Sequence, residues 1–590
     1  MQNSQLPAPY TRLWPRPRRV ELDGARVPVA ALRSAPHRVR DASLTAQAYR
    51  LVVAGGGTSI VSATEQGERY AEATLAQLRE LSDGMAADGS IACATIDDAP
   101  DFERRGVLID VSRTKVPTME TLRALVDTLA SLKVNELTLY TEHTFAYRGH
   151  ESVWEGASPV TPEEARALDD HCAQRGIALV PNQQSLGHMH RWLSHPRYRM
   201  LAEVPEGVQH AFSRRIEPFS LCPSDPDVLA LIADLYDQLL PCFRTRELDV
   251  GLDETFDIGR GRSRAACAER GTTSVYLEHV RAVHRLAAER GRRIHMWGDV
   301  VLQSPERAAE LPDDVTLRLW GYDADHDFER DVRAARASGR AFYVCPGTSS
   351  WQSIAGRTAN MRANVASAAR AGVRGGAHGY LVTDWGDRGH LQPLSVSYAG
   401  WLLGAGAGWN AASADDATFD LALALDTWIL RDEAHVLGRV ACALGDAYRL
   451  AAPGATNGSA LFFLLAFASE PLPHPRMPGL RAADLHTALD YVRAQRRALA
   501  DARPAGSAGE IAREELAWAA DLLAFACRLG LSRCNAAPGA PITALPARVE
   551  LAEELAPLVA EHARLWALRN RSGGRVESAS WLTDVLDALA

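Results

Sequence analysis

Asp253 and Glu254 are adjacent, at the end of the apolar stretch ELDVGLDE (247–254), and the glycine-rich segment TFDIGRGRS follows them. The stretch reads as a buried strand that delivers two carboxylates where the chain leaves its sheet. Burying a like-charged pair is costly, so two acids at the mouth of an apolar strand point to chemistry that uses them. A solvated Asp-Glu at the start of a loop is the bland alternative. Glu254 is the candidate general acid, able to protonate a leaving oxygen if the fold buries it. Asp253 lies too close in sequence to stand across a substrate from it.

Such a pair needs a scaffold that brings strand ends together. From residue 106 to about 404 the chain repeats one unit: a short apolar run, a loop and an amphipathic helix. Strands are predicted at 106–112, 136–142, 178–183, 247–254, 293–300, 315–322, 341–348 and 379–385. Their near-continuous hydrophobicity suits parallel strands covered on both faces. Leu122, Leu125, Val126, Leu129 and Leu132 recur at helical spacing, and Thr161-Pro162-Glu163-Glu164 reads as a capping box with proline at the first helical position. Further helices are predicted at 226–241, 274–290, 326–338, 360–372 and 394–404, with only a stub between the fifth and sixth strands. Eight βα units in about 300 residues predict an α/β fold of the (β/α)8 TIM-barrel type; an open doubly wound sheet is the alternative.

The flanking regions read differently. Residues 49–53 and 58–64 form a predicted hairpin across Ala54-Gly55-Gly56-Gly57, followed by a helix near 67–81 and a strand at 91–96. The glycine run precedes a strand and not a helix, which excludes a nucleotide loop. After about residue 410 the chain is rich in Ala, Leu and Arg with helical periodicity. The expected domains are an N-terminal α/β module (1–104), the barrel (105–410) and a C-terminal helical domain (411–590). The expected work of the last is packing or oligomerisation, with a homodimer as the candidate assembly.

In a barrel of this type the C-terminal strand ends carry the active site. Those ends hold Asp110-Val-Ser-Arg113, Tyr140-Thr-Glu142-His143, His188 in the loop after the third strand, Asp253-Glu254, Trp297-Gly-Asp299, Trp320-Gly-Tyr322 and Asp384-Trp385-Gly-Asp387. Indole stacks on the C–H face of a pyranose, and sugar hydroxyls need charged hydrogen-bond partners in a desolvated pocket. Trp297, Trp320 and Trp385 could wall such a pocket, although any single tryptophan in a barrel is more often packing. A glycosidase of the usual kind needs two carboxyl groups on opposite sides of the scissile bond, roughly 5 to 9 Å apart. Adjacent residues cannot provide that. A substrate could supply the missing partner itself: the carbonyl oxygen of a 2-acetamido group can attack the anomeric carbon, and Asp253 is placed to orient its N–H and stabilise the oxazolinium that would form.

The pieces RGVLIDVSR (105–113), YTEHTF (140–145), SLGHM (185–189), GLDETFDIGRGR (251–262), MWGD (296–299) and TDWGD (383–387) together resemble glycoside hydrolase family 20, the β-N-acetylhexosaminidases. Among these the chain is most similar to the three-domain intracellular-type N-acetylglucosaminidases. That family is a recognised substrate-assisted exception to the two-carboxylate rule. The resemblance implies a retaining exo-hydrolase that releases GlcNAc, with GalNAc left open. Arg113 would grip the outer hydroxyls, Asp253 would orient the acetamido group, and Glu254 would be the acid/base. Trp297, Trp320 and Trp385 would wall the pocket, with Asp387 at the O4/O6 edge. Glu142 and His188 would be supporting residues; Glu142 could equally be a partner for Arg113, and His188 a structural histidine. The chain departs from the pattern where Asp249 and Leu252 replace the usual histidine and second glycine before the acid pair. Its second strand also lacks the acid-rich, tryptophan-containing loop of many members. The tyrosine that holds the acetamido oxygen has no secure position: Tyr343 lies early in the seventh strand, and Trp351 is nearer the expected mouth. A hydrolase directed at glycosylated proteins or peptides and a catalytically silent GlcNAc-binding protein are the alternatives.

Composition sets outer bounds. At 590 residues with 47% apolar and 23% charged side chains, the chain has room for well-buried cores. A net charge of −9 argues against a nucleic-acid or anionic-membrane surface, and Arg260, Arg262 and Arg264 read as a solvated loop. No run of about 18 apolar residues suggests a membrane span. The amino-terminal stretch has no apolar core of the signal-peptide kind, and nine scattered cysteines lack zinc or disulfide spacing, so a reduced, cytoplasmic setting is expected. Neither metal nor organic cofactor is implied. The N-x-S matches at Asn457 and Asn570 read as chance.

Overall fold

The computed structural model describes residues 6–85, 89–210, 215–537 and 539–590, so residues 1–5 of the amino-terminal stretch read above lie outside it. Eight parallel strands form one sheet: Arg104–Asp110, Glu136–Tyr140, Ala178–Val180, Glu247–Asp249, Arg293–Trp297, Thr316–Trp320, Ala341–Cys345 and Gly379–Asp384. They are ordered by sequence, with the eighth beside the first. The third and fourth strands meet at a bridge from Asn182 to Asp249. There the Gln183 N–H donates to the Asp249 carbonyl at 3.1 Å and the Asp249 N–H to the Pro181 carbonyl at 2.9 Å. That bridge closes the ring, so the architecture is the barrel and not the open sheet.

The helices follow their sequence signals. Met119–Ser131 buries Leu122, Leu125, Val126 and Leu129 on one face, each side chain contributing about 1.5–3 kcal/mol of burial. At Pro162–Gln174 the Thr161 hydroxyl accepts from the Glu164 N–H while the Glu164 carboxylate accepts from the Thr161 N–H, a reciprocal cap. Helices at Pro226–Leu239, Thr272–Glu289, Phe328–Ser338, Thr358–Gly375 and Tyr398–Trp409 complete the outer ring, and two short 3-10 turns fill the interval after the fifth strand. The fourth strand stops at Asp249, four residues before Asp253. Gly251, Leu252 and Glu254 all have positive φ (70°, 71° and 51°), which no sheet ladder accommodates.

The N-terminal sheet has five strands, two more than the sequence suggested. Arg19–Pro28 and His37–Arg40 were not anticipated because they are almost wholly exposed and carry polar residues on both faces, which erases the period-two signal. Asp98 at the end of this sheet accepts from Lys133 Nζ (3.0 Å) and Trp409 Nε1 (2.9 Å), which ties it to the barrel. Beyond the barrel the chain is helical, with long elements at Ala482–Ala498, Gly506–Asn535, Arg548–Arg569 and Arg575–Leu589. Glu515 pairs with Arg569 at 2.7 Å and accepts from the Ser395 N–H at 3.2 Å, fastening these helices to the loop after the eighth strand. No described helix is long and apolar enough to cross a membrane.

Candidate active site

The loop after the fourth strand is shaped by its glycine. A Cβ on Gly251 would lie 1.7 Å from Gln184 Oε1, so only glycine lets Gln184 pass. Gln184 Nε2 in turn donates to Asp253 Oδ1 at 3.3 Å. The same economy holds at Gly187, where a Cβ would stand 2.5 Å from the Asp253 carbonyl oxygen. Leu252, in place of a second glycine, is fully buried, and its carbonyl accepts from the Tyr276 hydroxyl at 2.9 Å. Asp249, in place of a histidine, is buried on Arg318 of the sixth strand. The floor beneath the acids is therefore an ionic network of Asp249, Arg318 and Glu136.

His188 gathers the two acids. Its Nε2 lies 3.3 Å from Asp253 Oδ2 and 3.3 Å from Glu254 Oε2. Burial disfavours charge on the ring, but Asp253 and the contacts to both carboxylates push its pKa up to about 10. Burial likewise opposes charge on Asp253, and the imidazolium more than offsets it, holding that carboxyl below its usual range. The Glu254 side chain is 36% exposed at the mouth, not buried as the sequence reading required of it. Its N–H donates to Asp299 Oδ2 at 3.1 Å. Asp299 is pushed up to about 7, by burial first and by Asp253 second.

Arg113 is fixed from behind. Asp110 accepts from the Arg113 N–H (3.0 Å) and Nη1 (3.1 Å), and from the Gly386 N–H (2.9 Å), so one carboxylate sets both the arginine and the eighth loop. Glu142 Oε1 stands 3.3 Å from Arg113 Nε and 3.8 Å from His188 Nδ1, between two cations. Glu142 and His188 are buried behind the pocket surface, and Glu142 is the partner of Arg113. The guanidinium lies over Tyr140 and Trp385, 4.6 and 5.2 Å from their ring centres.

The three tryptophans come together. Trp297 and Trp385 have ring centres 5.9 Å apart, and Trp320 stacks on Tyr322 at 5.2 Å. With Arg113, Asp253, Glu254 and Asp387 they line a pocket of ≈ 840 Å³, open mouth included. Burial, partly countered by Arg113, pushes Asp387 up to about 6. Besides Glu142 and His188, two further expected residues do not reach the pocket. Tyr343 points down into the barrel, where its hydroxyl donates to Glu136 at 3.0 Å beside His295. Its position in mid-strand puts it below the mouth. Trp351 is buried edge-on behind Tyr322, ring centres 5.0 Å apart, and its Nε1 donates to Asn457 at 3.0 Å. Tyr322 is the tyrosine that faces the pocket, its hydroxyl accepting from Trp385 Nε1 at 2.8 Å.

The rim was not foreseen. Gln352, Arg388, Asn457 and Arg476 complete the lining, the last two from the C-terminal domain that the sequence assigned only to packing or assembly. Asn457 was set aside as a chance glycosylation match; its side chain instead anchors Trp351. The sequence offers no signal for Asn457 and Arg476, because they lie more than 70 positions beyond the last barrel strand. Among the described residues, His188, Asp253 and Glu254 are near enough to share a cation, their donor atoms within 4.8 Å. None of the nine cysteines is in a disulfide.

Residues 102–374 match the model for the glycosyl hydrolase family 20 catalytic domain. A β-hexosaminidase of Akkermansia muciniphila is 28% identical over 233 residues, covering 36% of this chain and 46% of that protein. A lacto-N-biosidase of Bifidobacterium bifidum is 21% identical over 295 residues, 48% of this chain and 25% of that one. The matches thus span less than half the length of either relative. The structure of a family 20 exo-β-N-acetylglucosaminidase from Vibrio harveyi with N-acetylglucosamine superposes with a TM-score of 0.57 at 17% identity, covering 72% of this chain and 78% of that one. The closed eight-stranded barrel and the match over its first seven strands give one conclusion: residues 102–374 are a glycosyl hydrolase family 20 catalytic domain.

Proposed function

We propose that the chain is an exo-acting β-N-acetylhexosaminidase that releases terminal GlcNAc with retention, through an oxazolinium formed by the substrate's own acetamido group. One observation carries the reading: Asp253 and Glu254 both rest on a single imidazole nitrogen, at 3.3 Å each. They occupy one wall, and no sugar ring fits between them. The usual arrangement of acid and nucleophile on opposite faces is therefore absent from this pair.

In this reading Glu254, the solvent-reaching member, protonates the glycosidic oxygen and later takes a proton from water. Asp253, held ionised by His188, accepts the acetamido N–H and balances the positive charge that develops as the carbonyl oxygen attacks the anomeric carbon. The Tyr322 hydroxyl donates to that carbonyl oxygen while keeping the Trp385 N–H as its own donor. Trp297, Trp320 and Trp385 surround the acetamido group and ring, and Arg113 with Asp387 holds the outer hydroxyls. A substrate lacking the 2-acetamido group would leave Asp253 and Tyr322 unpartnered in a desolvated site, which is costly. We propose a cytoplasmic setting with it, as the scattered cysteine spacing suggests.

Hydrolysis of 4-nitrophenyl N-acetyl-β-glucosaminide by the purified protein tests the activity. Glu254→Gln is expected to lower turnover of unactivated disaccharides by about 10²–10⁴. Near-normal disaccharide turnover in that variant would remove Glu254 from its role.

A further inference from the structure

The sugar pocket has a positively charged side that the chemistry above does not use. Arg388 and Arg476 both line it, together with Gln352 and Asn457. Arg388 follows Asp387 directly and is held in place: its backbone is left-handed (φ 60°), its Nε donates to Gln352 Oε1 at 3.0 Å, and its guanidinium lies between Phe467 and Trp581, 5.1 and 5.9 Å from their ring centres. Gln352 is in turn fixed by its Nε2, which donates to the Asn457 carbonyl at 3.1 Å.

Arg476 is the informative member. Its guanidinium sits 4.3 Å from the centre of the Phe463 ring, and Nη2 donates to the Thr456 carbonyl at 3.1 Å. Nε is buried with no hydrogen-bond partner. Among the described residues it forms no ion pair. Asp323, the nearby acid, is already taken by Arg357 at 2.9 Å and the Asn457 N–H at 3.2 Å. Of the acids that line the pocket, Asp253 and Glu254 are matched by His188 and Asp387 lies in the field of Arg113, which also has Asp110 and Glu142. A half-buried guanidinium without a counter-charge is costly to hold unless something negative comes to it. Its planar fork suits an oxyanion.

We propose that Arg476 and Arg388 form a subsite for an anionic substituent of the substrate: a carboxylate, sulfate or phosphate carried either on the terminal sugar or on the group it leaves. This rests on the hexosaminidase reading and narrows it to acidic amino-sugar conjugates. It also gives the C-terminal domain a part in selecting the substrate, since Asn457 and Arg476 belong to it.

Three aryl N-acetyl-β-glucosaminides test the proposal: a neutral one, one sulfated at O6, and one with a carboxylated aglycone. The quantity read is kcat/KM for each anionic compound relative to the neutral one. In the wild-type protein at low ionic strength, one of the two anionic substrates should exceed the neutral substrate by about tenfold, the effect of one charge-assisted contact. High salt should shrink that ratio, and Arg476→Met should bring it close to one. The favoured compound tells whether the anion sits on the sugar or on the leaving group. If neither is favoured, or if the ratio survives in both Arg476→Met and Arg388→Met, the subsite is overturned. Turnover of the neutral compound tests the hexosaminidase reading separately. Calorimetry with the S-linked analogues of the same three compounds reads the ratio without turnover, so the subsite stands or falls even if the neutral substrate is not cleaved.

Discussion

Replacing His188 by glutamine removes the cation that Asp253 and Glu254 both contact. The ring is 1% exposed and lies 3.3 Å from each carboxylate. Burial alone would lower its pKa, yet the two acids raise it from 6.5 to about 10. That difference of about 3.5 units, at 1.36 kcal/mol each, favours the charged ring by about 5 kcal/mol. In the variant, the buried Asp253 can take up a proton and recover part of this. A net loss of about 3 kcal/mol at pH 6 is expected, at the lower end of what breaking a buried pair costs. The pH dependence has a definite sign. The folded-state pKa lies above the unfolded value, so the contribution is full below pH 6.5 and fades as pH rises through 10. Urea unfolding followed by tryptophan fluorescence, at pH 6, 7, 8, 9 and 10, should show a gap between wild type and His188→Gln that is widest at pH 6 and narrows steadily. A gap that stays constant from pH 6 to 10 would refute the imidazolium assignment.

Other consequences are as direct. Asp253→Asn should reduce kcat by about 10²–10³ while changing KM little, because its charge matters most as the oxazolinium forms; an equal loss in binding of GlcNAc would contradict this. Tyr322→Phe removes both the donor to the acetamido oxygen and the acceptor for Trp385, and about 10–100-fold in kcat/KM should go with it, whereas Tyr343→Phe should alter stability and leave the KM-to-kcat balance as it was. Asp299, pushed up to about 7 beside Asp253, should give the wild-type kcat–pH profile an inflection near pH 7 that Asp299→Asn abolishes while keeping the acceptor for the Glu254 N–H. Gly251→Ala should displace Gln184 from Asp253 and lower activity more than Gly149→Ala, whose Cβ would meet open space.

The barrel was legible because its strands are covered on both faces and its helices carry plain apolar stripes and caps. The acid pair was legible for the opposite reason, since charge at the end of an apolar run stands out. What the sequence concealed falls into three kinds. Tyr343 and Tyr322 differ in role by register: one is in mid-strand and points to the floor, the other lies two residues past a strand end and faces the mouth. Arg318 and Asp249 form a buried pair whose members are 69 positions apart, so neither announces the other. Arg476 and Asn457 reach the pocket only because the C-terminal helices pack onto the loop after the eighth strand, a contact that local periodicity cannot encode. Depth in the barrel and contacts across domains were thus the missing quantities.

The account turns on whether the substrate provides its own nucleophile. Aryl β-glucosaminides bearing N-acetyl, N-fluoroacetyl, N-difluoroacetyl and N-trifluoroacetyl groups differ almost only in the electron density of the acyl oxygen. If Asp253 and Tyr322 serve an acetamido attack, kcat/KM should fall steeply and monotonically along that series. A flat response to fluorination would show that the nucleophile lies in the protein or the solvent, and would contradict the central claim.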